Sequence, residues 1–166
     1  MESFAARIES LLNEKILLFQ ELVEILKEEK KSIVDIDVDK LWVFSEKKQA
    51  VASKIEDIRK QIIHILDEES IDHNMAVSTF SVGKVIEWIR SDEKAYLNQI
   101  NVTLILLKKK VHALASENKK FISEYLGVMD ELIGTISNIG DKAGVYENSR
   151  FPKRQKKTSY MLNTEV

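Results

Sequence analysis

The apolar residues of this chain recur at steps of three and four for most of its length, the interval that gathers them on one face of an α-helix. Between positions 3 and 33 one stripe runs through Phe4, Ile8, Leu11, Leu18, Leu22 and Ile25, and beside it lie Leu12, Ile16, Phe19, Val23 and Leu26. Together they predict a helix whose apolar face is wide enough to pack on two others. The pattern stops at VDIDVD, 34–39, and resumes over 40–69 with Leu41, Phe44, Val51, Ile55, Ile58, Ile62 and Ile65 or Leu66 inward. Each helix would have about 30 residues and span roughly 45 Å. So short a link makes the pair an antiparallel hairpin.

Charge and period disappear together in SIDHNMAVSTFSVG, 70–83, which reads as a loop leading to a short helix over 84–89. A third long helix is expected over 92–138, capped by Ser91 or Asp92. Its stripe is Leu97, Ile100, Leu104, Leu107, Val111, Leu114, Asn118, Phe121, Tyr125, Val128 and Leu132. Steps that alternate in this way are the heptad signature of coiled-coil packing. At about 70 Å this helix outruns the hairpin, unless the loop and short helix pack along the excess. Asn118 stands on the seam itself. A buried amide there lowers stability but penalises wrong registers, in which it lacks a partner; alternatively, this end of the seam is wet. On the register reading, Asn118→Leu is expected to raise stability.

After 139 the character changes. GDKAGVYENSRFPKRQKKTSYMLNTEV holds the only proline, the basic run Lys153, Arg154, Lys156 and Lys157, and the small apolar cluster Tyr160, Met161 and Leu162. Such a segment buries too little apolar surface to offset chain entropy, so disorder is expected. The fold class is therefore all-α. A hairpin of long helices plus a longer third helix forms a three-helix, coiled-coil-like bundle over 1–139, and a flexible basic tail covers 140–166.

Composition supports this reading. Charged residues make up 31% of the chain against five glycines and one proline, a balance that favours long amphipathic helices. Cysteine is absent, which removes disulfides, thiol nucleophiles and zinc–thiolate sites and suits a reducing cytoplasm. The opening MESFAARIES lacks a basic region followed by an apolar run, so no secretory signal is expected. No apolar stretch reaches the length of a membrane span. A net charge of -2 argues against a dominant nucleic-acid surface.

Candidate chemistry is sparse. Asp35, Asp37 and Asp39 with Glu46 nearly match a calcium-binding EF-hand loop, but the position that needs glycine for the sharp turn is Lys40. The better reading makes Asp37 or Asp39 the cap of the second helix, its carboxylate accepting free backbone N–H groups. His64, His73 and His112 form no metal-ligand set, and His64 and His112 read as surface or boundary residues. No phosphate-cradling glycine loop or nucleophile elbow occurs. No enzyme and no cofactor are expected.

The hairpin DVDKLWVFSEKKQAVASKIEDIR resembles the FlgN family of flagellar export chaperones, with Asp37, Leu41, Phe44, Glu46, Lys47 and Arg59 at the family's positions. ENKKFISEYLGVMDELI, with Glu117 and Asn118, is similar to the family's asparagine-containing last helix, and GVYENSR to its tail element, which puts Tyr146 at the family's tyrosine. The family often has a glycine soon after that tyrosine; here Glu147, Asn148, Ser149 and Arg150 follow. The resemblance implies a cytoplasmic chaperone that binds hook-associated (hook-filament junction) proteins, prevents their premature association and delivers them to the type III export gate. It also implies client binding by the C-terminal region and gate docking by the tail tyrosine. Partner-binding residues are then expected at Val145, Tyr146, Tyr160, Met161 and Leu162. Two alternatives belong to other classes: a structural coiled-coil subunit that oligomerises through the long helix, and an adaptor whose basic tail meets nucleic acid or a membrane surface.

Overall fold

The computed structural model of the chain describes residues 3–143. These residues are helical throughout, apart from connections: α1 Phe4–Val34, α2 Val38–Glu68, a 3-10 turn Val77–Thr79, α3 Val82–Glu87 and α4 Ser91–Ala143. They fall into two compact units, Met1–Tyr125 and Leu126–Val166. The first contains α1 to α3 and the larger part of α4; the described part of the second is the last stretch of α4.

The link between α1 and α2 is built from two helix ends that share a residue. Asp37 N–H donates to Ser32 O (2.9 Å) and Ile36 N–H to Ile33 O (3.2 Å), the paired bonds of a Schellman motif. That motif needs a left-handed residue just past the cap, and Ile36 supplies it at φ 56°. Asp37 then turns from stop to start. Its carboxylate accepts from Lys40 N–H (3.1 Å) and sits 2.9 Å from Lys40 Nζ, capping α2. The Lys40 ammonium, and then its backbone N–H, hold the Asp37 carboxyl below its usual range. Asp39 lies one residue inside, in the first turn, where its charge meets the positive end of the helix. So α2 begins at Val38, slightly earlier than its apolar pattern suggests. The same device ends α2: Ile71 N–H reaches Leu66 O (3.0 Å) around Ser70 at φ 55°.

Within the first unit α1 and α2 run antiparallel, as the early Arg7 shows by pairing with the late Glu68 at 2.5 Å. The core joins Ile8, Leu12 and Phe19 of α1 to Val51, Ile55, Ile58 and Ile62 of α2 and to Leu97, Ile100 and Leu104 of α4. Val85, Ile86 and Ile89 close the same cluster. The loop and α3 thus cover the N-terminal turns of α4; the excess length expected of that helix is not what they cover. α3 starts at Val82, two positions before its expected beginning, and α4 continues to Ala143, past the expected end of the bundle at 139.

Polar residues occupy the seam at one level. Asn118 is 2% exposed, and its Nδ2 donates to Leu26 O and to Glu29 Oε2, each at 2.9 Å. Glu29, itself buried, accepts from Lys48 Nζ through its other oxygen. One carboxylate therefore receives a donor from α2 and another from α4. Lys30 and Glu117 flank the layer at 2.7 Å.

Two outcomes follow from these contacts. Ile36→Gly is expected to raise stability by about 0.5–1 kcal/mol, since a β-branched residue is costly in the left-handed region and this side chain is largely exposed. A lower melting temperature would count against the strain argument. Asn118→Leu is expected to lower stability by about 1 kcal/mol, because it takes a donor from the buried Glu29 carboxylate, a loss that outweighs the relief of removing Asn118 Oδ1, which is buried without a hydrogen-bond partner. The two bonds of Nδ2 thus reverse the sign expected on the register reading, and urea unfolding of the variant decides between the two.

Candidate partner-binding site

The apolar stripe of α4 is buried only in its first part. Leu97, Ile100 and Leu104 are buried, Leu107, Val111 and Leu114 half-buried, and Asn118 closes the series. Further along, Phe121, Ile122 and Tyr125 are 36–39% exposed although they continue the stripe. These residues end the first unit.

In the second unit the exposure is greater. Leu126, Val128, Met129, Leu132, Ile133 and Ile136 all stand open, Leu132 at 51%, Ile133 at 57% and Ile136 at 68%. At 100° per residue these six fall within about 160° of the helix circumference. Asp130, Glu131, Thr135, Gly127 and Gly134 take the other side. A Cβ added at either glycine would meet nothing within 4 Å. This is a one-sided amphipathic helix whose apolar side meets no described residue closely enough to be buried. Such a face costs solubility unless something covers it.

A second exposed apolar group sits at the hairpin link, where Val34, Ile36, Val38, Trp42 and Val43 surround the Schellman turn. Of the family-like positions there, Leu41 and Phe44 are half-buried, Glu46 and Lys47 exposed, and the Lys47 ammonium lies 5.5 Å from the centre of the Phe44 ring. His64 is on the surface beside Glu68 (3.2 Å), and His112 is exposed. His73 accepts from Met75 N–H at Nδ1 (2.9 Å) and donates from Nε2 to Asp67 (3.0 Å), which gives it a structural place in the loop.

Of the expected site residues, the structure brings Asn118 into the polar layer and Asp37 and Asp39 to the start of α2. Val145, Tyr146, Tyr160, Met161 and Leu162 lie outside the described residues. The seam charges Lys15, Glu29 and Lys48 were not among the expected site residues. Their signal is positional. The series 8, 12, 15, 19, 22, 26, 29 on α1 and 41, 44, 48, 51, 55 on α2 alternates by three and four, so these residues continue the stripe in polar form. No helix among the described residues is long and apolar enough to cross a membrane.

A family model described as FlgN protein matches residues 1–149. Comparison with curated proteins and with solved structures gives no match. The family match spans the hairpin, the loop and the whole of α4, including both the polar layer and the open apolar face, and on that extent the chain belongs to the FlgN family, a family of flagellar export chaperones.

Proposed function

We propose that this chain is a cytoplasmic chaperone for hook-associated proteins. It covers their unpaired terminal helices, keeps them from associating early and delivers them to the flagellar type III export gate. The observation that carries the reading is the open apolar face at Leu126–Ile136 on α4. A client helix laid against it would complete a seam that Asn118 leaves behind, by the helix-in-groove mode of recognition. Hiding one such side chain is worth roughly 1.5–3 kcal/mol, so six partly exposed ones supply on the order of 10 kcal/mol. Association itself costs about 4–15 kcal/mol. Gain and cost are of similar size, as suits a chaperone that must let go. On the same reading Tyr146 docks on the export gate, and Val145, Tyr160, Met161 and Leu162 are further partner-binding residues.

The test is the double substitution Leu132→Glu with Ile133→Glu. Both positions are exposed, so the melting temperature should stay near that of the parent. Affinity for the terminal helices of a hook-associated protein, measured by titration calorimetry, should fall at least tenfold, about 1.4 kcal/mol or more. Unchanged client affinity, with loss of self-association instead, would favour the coiled-coil subunit.

A further inference from the structure

A cleft in the first unit, separate from the apolar face, gathers cations without a counter-charge. Its volume is about 270 Å³, and Lys15 of α1, Arg59 of α2 and Lys108 of α4 line it together with Phe80, Ser81 and Asn101. Lys15 is only 5% exposed, and its ammonium lies 4.7 Å from the centre of the Phe80 ring. Arg59 Nε is buried without a hydrogen-bond partner. Among the described residues no carboxylate lines this cleft. Elsewhere the bundle does answer its buried charge, as Glu29 and Lys48 show. Three converging cations with an orphaned donor thus form an incomplete polar site, because buried charge is ordinarily paired.

We propose that this cleft binds a small phosphate dianion, either inorganic phosphate or the phosphate group of a small monoester. A single carboxylate would leave most of the positive charge unanswered, whereas a dianion answers the buried Lys15 and the half-buried Arg59 and draws on Lys108 at the rim. The planar guanidinium of Arg59 presents paired donors that match phosphate oxygens, Ser81 and Asn101 add neutral donors, and the cleft volume admits a group of this size.

Lys15 provides an internal reporter. Burial, then the Arg59 and Lys108 charges that face it from α2 and α4, lowers its pKa from 10.5 to about 8. The folded value lies below the unfolded one, so the ammonium opposes folding at neutral pH, and stability should rise from pH 8 towards 10.5 as the folded form sheds its proton first. A bound dianion favours the ammonium and should flatten that rise.

The experiment is thermal unfolding of the full chain in increasing inorganic phosphate, or phenyl phosphate, against chloride at constant ionic strength. We expect a saturable rise in melting temperature with phosphate alone. Arg59→Gln should abolish it. Lys15→Met should raise the melting temperature in the absence of phosphate, by removing an unpaired buried charge, and also abolish the phosphate response. Stronger stabilisation by phenyl phosphate identifies a monoester as the ligand, and equal stabilisation the free ion. An equal response to chloride, or a phosphate response that survives Arg59→Gln, overturns the proposal.

Discussion

The buried carboxylate of Glu29 is where the three long helices meet chemically. It takes Lys48 from α2 on one oxygen and Asn118 from α4 on the other, while the Asn118 amide also reaches the Leu26 carbonyl. Apolar seams tolerate sliding by a heptad, since one leucine replaces another at little cost. A carboxylate that needs two donors from two helices does not, for each slip leaves buried groups unpaired. Unlike the costly amide that the register reading of the sequence expects, Asn118 here stabilises the layer through its Nδ2 bonds, and we infer that the layer also aligns the three helices. Its effect extends along α4: with Asn118 fixed at Glu29, the apolar positions before it are committed to the core, and those after it are left to some other partner.

This gives a physical sense to a chaperone of unpaired helices. A client of that kind offers an apolar stripe, and α4 offers a matching one in its last described turns. The face is helical and amphipathic before any client arrives, so little ordering has to be met at the moment of binding. Gly127 and Gly134 sit on the opposite side and weaken the helix without touching the face. Recognition by apolar stripe is permissive in sequence, which fits the proposed role of binding a client and later releasing it.

Much of this was legible in the sequence because helices announce themselves by period. The hairpin, the uncharged loop and the long third helix follow from the spacing of Ile, Leu and Val, and the family resemblance from the residues around Asp37 and Asn118. What the spacing could not supply was polar. Asn118 was visible because the stripe around it is otherwise unbroken, but its partners were not, since a reading confined to apolar letters passes over Glu29 and Lys48 even where they keep the step. The same blindness hid Lys15, whose aliphatic stem packs as a core residue while its ammonium faces the cleft. Nor does an isoleucine announce a left-handed turn: the acidic neighbours located the link, and only the backbone showed that Ile36 bears its strain.

On the proposed function, α4 is divided at Asn118 into a part that folds the bundle and a part kept open for a client. Native-state hydrogen exchange, resolved along α4, tests it most directly. Amides from Leu97 to Asn118 should exchange only on global unfolding, and those from Leu126 to Ile136 much faster in the free chain. Addition of the terminal helices of a hook-associated protein should then protect the second group selectively. Equal protection of both stretches in the free chain, or no gain over Leu126 to Ile136 when the client is saturating, would contradict it.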